Sequence, residues 1–263
     1  MANTLLAGKR ALILGVANDH SIAWGIAKAM HAAGAELGFT YQGDGFGRRV
    51  LPLAESLGAR FVEPADVQDA ASLDALFARV GEVWGGLDIL VHAIAFSDKA
   101  ELDGRFLDTS RANFSRSLEI SCYSLVDLTR RAAPLMPRGG SVLTLSYIGA
   151  QRVTPHYNVM GVAKAALESA VRYLANDLGP DGIRVNAISP GPMRTLAGAA
   201  ISGARKVYAA TERNTPLRAN ASLEAVGGAA VYLASDLSAS TTGEVLFVDG
   251  GFHVLGMAQP ENL

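Results

Sequence analysis

The stretch Ala11-Leu12-Ile13-Leu14-Gly15-Val16-Ala17-Asn18-Asp19-His20-Ser21-Ile22-Ala23-Trp24-Gly25 runs from a short apolar segment through a polar turn into a second apolar one. The first segment is far too short to span a membrane and reads as a buried strand. Gly15 permits a tight exit from that strand. Ser21 stands where a helix N-cap belongs, so its hydroxyl and the neighbouring N–H groups would face an anion such as a pyrophosphate. The spacing is not G-x-G-x-x-G, and glycine after a strand makes a plain turn as readily as a phosphate cradle, so the wider pattern has to decide.

That pattern repeats along the chain. Strand-like runs are expected at 11–15, 36–41, 60–63, 88–93, 141–146, 183–188 and 244–248, and helical stretches at 22–33, 48–57, 72–84, 111–135, 157–178 and 223–234. Alternating strands and helices imply an α/β fold: a doubly wound, Rossmann-like parallel sheet of about seven strands with helices on both faces. No linker, repeat or low-complexity tract interrupts the chain, so residues 1–263 read as a single dinucleotide-binding and catalytic domain. The irregular part is 192–210. Pro190-Gly191-Pro192 breaks the chain ahead of a run of small residues, which reads either as a lid over substrate or as an ordinary helix packed on the sheet.

Composition narrows the function. Hydrophobic residues make up 49% of the 263 and charged residues 18%, which supports a sizeable core. A net charge of −2 gives no electrostatic reason to expect nucleic acid or an anionic membrane as partner. Cys122 is the only cysteine, so an intramolecular disulfide and a cysteine-based metal cluster are excluded, and no metal site is expected. Lys9-Arg10 before an apolar run resembles a secretion signal superficially, but the run is short and enters a polar turn. A soluble, cytoplasmic protein is expected.

The chemistry resides in Tyr157 and Lys164. On a helix these would share one face, with the phenol about 10 Å along the axis from the base of the lysine. Reduction of a ketone wants the proton donor beside the carbon that receives hydride, which a tyrosine four residues before the lysine would supply. That position is Met160, whose thioether donates no proton. Hydride delivery to the β-carbon of a conjugated thioester instead develops charge on a more distant carbonyl oxygen, and a donor farther out, Tyr157, suits it. Tyr147 follows the fifth strand and is a second candidate. His92 and His156 are expected to be structural.

Cofactor candidates lie at successive strand ends, where a dinucleotide crevice forms. Gln42 ends the second strand, offering hydrogen bonds to ribose hydroxyls without a carboxylate to repel a 2′-phosphate. Arg48 and Arg49 lie nearby, either reaching such a phosphate or solvating a helix. Asp66 and Val67 follow the third strand, and Ile94 and Ala95 the fourth.

Taken with Ser146-Tyr147, Tyr157-Asn158-Val159-Met160-Gly161, Arg184-Val185-Asn186-Ala187-Ile188, Gly191-Pro192 with Arg194-Thr195-Leu196, and Asp249-Gly250-Gly251, these features resemble the short-chain dehydrogenase/reductase superfamily. Within it, nearly the whole chain is similar to the bacterial NADH-dependent enoyl-acyl-carrier-protein reductases. The resemblance implies reduction of trans-2-enoyl thioesters on acyl carrier protein in fatty acid elongation, with NADH preferred to NADPH. It implies that Tyr147, Tyr157 and Lys164 are catalytic, and that Ser97, Tyr147, Tyr157 and Met160 meet substrate. Gly15, Ser21, Ile22, Gln42, Asp66, Val67, Ile94, Lys164, Met193, Arg194, Thr195, Leu196 and Ala197 would meet the cofactor. It further implies a homotetramer joined largely through 111–135 and 157–178. Two departures stand out: Ala95 where many relatives carry glycine, narrowing the pocket near the nicotinamide, and Ala204 where relatives often carry phenylalanine.

Overall fold

The structure is a computed structural model that describes residues 4–199 and 203–262. Residues 200–202 of the expected lid, and the side chains of Ala197 and Ala204, lie outside the described residues.

Seven parallel strands form one sheet: β1 (Arg10–Leu14), β2 (Glu36–Tyr41), β3 (Phe61–Pro64), β4 (Ile89–His92), β5 (Gly140–Leu145), β6 (Ile183–Pro190) and β7 (Val245–Val248). Their spatial order is β3-β2-β1-β4-β5-β6-β7. Ile13 of β1 is in register with Phe39 of β2 on one side and Val91 of β4 on the other. The chain therefore winds outward from β1 in one direction, returns, and winds outward from β4 in the other. The carboxyl ends of β1 and β4 frame the switch point where such sheets bind ligands.

The helices are α1 (Ile22–Ala32), α2 (Gly43–Ser56), α3 (Ala70–Trp84), the short α4 (Lys99–Leu102), α5 (Arg111–Leu118), α6 (Ser124–Ala132), α7 (Val159–Leu178), α8 (Leu196–Ala199), α9 (Ala204–Asn214) and α10 (Leu223–Ala234). Successive strand residues point to opposite faces of the sheet. Ala11 and Ile13 accordingly join a cluster with Trp24, Ile26, Met30 and Val226, under α1 and α10. Leu12 and Leu14 join the opposite cluster with Leu76, Leu128, Leu167 and Val171, under α3, α6 and α7. Each such fully buried aliphatic side chain contributes about 1.5–3 kcal/mol relative to exposure.

The structure departs from the sequence pattern in three places. The expected helix over 111–135 is interrupted by a single π turn, Glu119–Tyr123, between α5 and α6. Helix α2 begins at Gly43, ahead of the expected 48, and carries Pro52 within it. Helix α7 begins at Val159, so Tyr157 lies in the turn before the helix and not on it. The 192–210 segment is built around α8 and α9.

Candidate active site

At the switch point Gly15 has φ +99°, and a Cβ there would lie 2.1 Å from the carbonyl oxygen of Ala93. The loops after β1 and β4 thus touch backbone to backbone, which only glycine allows. Ser21 does not cap α1 as its position suggests. Its hydroxyl turns back into the loop, accepting from the Ala17 and Asn18 N–H groups at 3.0 Å each. The side chain that would have capped the helix fixes the loop instead, leaving the first amides of α1 to meet a pyrophosphate. The cradle and the open helix end both fit a dinucleotide.

Along the crevice, Gln42 Nε2 donates to Asp66 Oδ2 at 3.0 Å, joining the ends of β2 and β3. A carboxylate therefore sits beside Gln42 after all, supplied by the next strand; it opposes a 2′-phosphate and leaves the Gln42 amide oxygen as an acceptor. Arg49 lies 5.9 Å over the Phe46 ring of its own helix. Val67 and Ile94 both pack on the cluster under α3 and α6, and Ile22 on the opposite one. Ala95 is exposed in the loop after β4.

At the other end, Tyr157 and Met160 form a small buried cluster with Tyr147 packed against it. The two tyrosine rings meet edge to face with centroids 4.9 Å apart. Burial pushes both phenols above the ordinary tyrosine value, Tyr157 further, with Tyr147 adding to it. Lys164 is 5% exposed, and its ammonium donates to the Leu145 carbonyl at 2.6 Å, two residues before Tyr147. Burial pushes its pKa down to about 8, against the opposing pull of Cys122 and Glu168.

The turn carrying Tyr157 is strained. His156 and Asn158 on either side have φ +61° and +41°, a region non-glycine residues seldom occupy. Asn158 Nδ2 donates to the Leu102 and Gly104 carbonyls at 3.1 and 3.3 Å, anchoring the turn to the α4 segment. Ser97, expected to meet substrate, accepts from Asn113 Nδ2 at 3.2 Å.

The π turn has a consequence here. It brings Ser121 to the loop after β4, where its hydroxyl accepts from Phe96 N–H at 3.0 Å and donates to Phe96 C=O at 3.1 Å. The same hydroxyl lies 3.9 Å from Met160 Sδ. Single π turns inside α-helices frequently mark functional sites. Ser121 and Asn113 escaped the sequence reading because neither lies in a pattern with chemical meaning of its own, and Asn158, though part of the Tyr157–Gly161 motif, carried no role there.

His92 is structural. Ser124 Oγ donates its one proton to Ile120 C=O at 2.6 Å, so it accepts from His92 Nε2–H at 2.8 Å, and Nδ1 in turn accepts from Thr144 at 2.8 Å. Burial, with Lys164 nearby, pushes this imidazole down to about 3. The folded value lies below the unfolded value of about 6.5, so the unfolded chain binds more protons between the two and stability falls as pH drops through that window. Urea midpoints measured from pH 6.5 to 4.5 are expected to fall more steeply for the wild type than for His92→Gln; parallel slopes would refute this assignment.

In the segment after β6, Met193 packs on the cluster under α1 and α10, and Thr195 Oγ1 accepts from Gly198 N–H at 3.0 Å, capping α8. Leu196 is half exposed, and Arg194 stacks 4.6 Å over the Tyr208 ring of α9. Among the described residues, no three His, Cys, Asp or Glu side chains are placed to hold a metal, and no helix is long and apolar enough to cross a membrane.

This crevice, with its glycine cradle and its tyrosine–lysine end, lies within residues 15–253, which match the sequence profile of the enoyl-(acyl carrier protein) reductase family. The chain belongs to that family. Among its relatives, enoyl-[acyl-carrier-protein] reductase [NADH] 2 of Rhizobium meliloti (strain 1021) is 57% identical, covering 99% of this chain and 97% of the relative. The enoyl-(acyl-carrier-protein) reductase of Anaplasma phagocytophilum, solved in complex with NAD, superposes with a TM-score of 0.94 at 57% identity, covering 97% of both chains. The Bacillus cereus enoyl-acyl carrier protein reductase, solved with NADP+ and an indole naphthyridinone, gives 0.94 at 47% identity, covering 96% of this chain and 99% of that one.

Proposed function

We propose that Tyr157 donates a hydrogen bond to the thioester carbonyl of a trans-2-enoyl substrate, that Lys164 holds the cofactor's ribose, and that Tyr147 supports Tyr157 from behind. The reaction is the NADH-dependent reduction of trans-2-enoyl thioesters of acyl carrier protein in fatty acid elongation, the reaction of the family. The observation that carries the residue roles is Met160: four residues before Lys164, it shares the buried cluster with Tyr157, leaving the phenol as the donor in that cluster.

NADH, when bound, supplies hydride to the substrate's β-carbon. Gly15, the open end of α1, Gln42 with Asp66, Val67, Ile94 and the 193–197 stretch would hold it. Charge then grows on the thioester oxygen. The Tyr157 phenol, held above its ordinary pKa by burial, remains protonated throughout the working range and acts as a hydrogen-bond donor to the enolate. Lys164 has three N–H donors and spends one on Leu145, leaving two for ribose hydroxyls. The enolate is discharged by a proton from solvent, taken up at the α-carbon.

The same reading includes a cytoplasmic homotetramer, a lid over 192–210 and one catalytic domain. Tyr123, Val162 and Tyr173 are exposed on the π turn and α7, which supports subunit contact through those helices. Light scattering should return four chain masses.

The first experiment follows absorbance of the reduced nicotinamide with NADH or NADPH and either a trans-2-enoyl or a 3-ketoacyl thioester. Oxidation of NADH with the enoyl substrate alone is expected; turnover of the ketoacyl substrate would overturn the role given to Met160. Tyr157→Phe should lose about 10²-fold in kcat with NADH affinity unchanged. Undiminished turnover would remove Tyr157 from the mechanism. The Lys164 pKa sets a pH limit. In the free protein its charge disappears as pH rises through about 8, so NADH affinity is expected to weaken above that pH. A flat affinity from pH 7 to 9.5 would contradict it.

A further inference from the structure

A buried carboxylate beside Lys164 takes no part in the steps above. Glu168 stands one helical turn beyond Lys164 on α7 and is 5% exposed. Its oxygens receive neutral donors: Ser146 Oγ at 2.6 Å and Gln151 Nε2 at 3.1 Å. Two neutral donors give each oxygen of the buried carboxylate one hydrogen bond without balancing its charge, which needs a cation nearby. Lys164 is that cation.

The other titratable groups that couple to Lys164 are Cys122 from the π turn and His92 from β4; Tyr147 and Tyr157 lie ahead of α7. Burial pushes the Cys122 thiol and both phenols up and the His92 imidazole down. All four are neutral at pH 7 to 8, so Glu168 is the charged neighbour within this set.

The hydrogen bonds also have a mechanical pattern. Leu145 is tied to Lys164 and the next residue, Ser146, to Glu168, so the end of β5 is fastened to two successive turns of α7. Gln151 returns to the same carboxylate, closing the 146–151 turn at its far end. Tyr147 opens that turn. Gly149, in its middle, lies against the Tyr157 ring so closely that a Cβ there would sit 2.4 Å from Cδ1.

We propose that Glu168 is a positioning residue for the reduction: it brackets the 146–151 turn at both ends, fixing Tyr147 and Tyr157, and supplies the countercharge that keeps Lys164 an ammonium toward the cofactor. This rests on the roles given to Tyr157 and Lys164 above, and two variants separate its halves. Glu168→Gln keeps the shape, since its amide oxygen accepts from Ser146 and its NH2 can donate to Gln151 once that amide turns over, but it removes the charge. NADH affinity is expected to match wild type at pH 6.5. Its alkaline limb should move down by about one pH unit, making binding about fivefold weaker at pH 8.

The double variant Ser146→Ala with Gln151→Ala keeps the charge and opens the bracket. It should lose about tenfold in kcat with the alkaline limb unmoved, and amides 147–151 should exchange faster with solvent in the cofactor-free protein. An alkaline limb in Glu168→Gln that coincides with wild type overturns the countercharge, and wild-type exchange and kcat in the double variant overturn the bracket. The double variant decides the bracket even if Glu168→Gln does not fold. Absence of enoyl turnover in the wild type would refute the proposed roles in the reaction, whereas the binding limb and the exchange rates judge Glu168 independently of turnover.

Discussion

Lys164→Ala is expected to lower NADH affinity by about 10²-fold or more at pH 7 and to lower the melting temperature of the cofactor-free protein as well. The first effect follows from losing an ammonium whose remaining donors face the ribose, and charged hydrogen bonds of this kind contribute about 1.5–3 kcal/mol each. The second follows from what stays behind. Glu168 becomes a buried charge without its cation, and the Leu145 carbonyl loses the donor now held at 2.6 Å. Leaving a buried charge unopposed and a buried carbonyl without its donor costs about 1–3 kcal/mol for each group. Calorimetric titration with NADH and a thermal melt of the same preparation measure both. Equal NADH affinity in variant and wild type would refute the assignment of Lys164, whatever happened to the melt.

Gly15→Ala is the second large effect, and its cause is purely steric. The backbone there has φ +99°, and the added methyl would arrive 2.1 Å from the Ala93 carbonyl oxygen. That atom belongs to the backbone at the end of β4, held by its own bond from Ala93 N–H to Leu14 C=O at 3.1 Å, so it cannot swing aside as a side chain would. Relief requires β1 and β4 to part at the switch point. We expect a loss of about 3 kcal/mol or more in stability, from left-handed strain together with overpacking, and loss of measurable NADH binding. A variant with wild-type melting and affinity would mean that the loop is not the cradle described.

Most of this architecture is legible in the sequence. All seven strands lie where their apolar runs placed them, because a parallel sheet covered on both faces demands short continuous hydrophobic segments and little else satisfies that demand. The strand ends then located Gly15, Gln42, Asp66 and Ile94. What stayed hidden depended on pairings distant in the chain. Ser21 has the right residue type for a cap, yet its hydroxyl goes to Ala17 and Asn18, and local propensity cannot say which of two nearby partners wins. Tyr157 reads as helical because the apolar pattern of Val159–Leu178 continues backward through it. Asn158 at φ +41°, tied to Leu102 and Gly104, stops the helix short for a tertiary reason. Glu168 looks like any solvated helix glutamate until β5 is laid beside it.

The π turn at Glu119–Tyr123 has a genetic reading. A π turn holds one residue more than the α turn it replaces, so it is a single extra codon carried inside an otherwise regular helix. Substitution cannot remove it; deletion of one residue can. Such a deletion would leave α5 and α6 fused and their ends displaced by only about 1.5 Å. It would nevertheless withdraw the hydroxyl that grips Phe96 and touches Met160. Point-mutation libraries of this chain would therefore find the segment tolerant at many positions, while the frame-preserving loss of a single triplet would silence it.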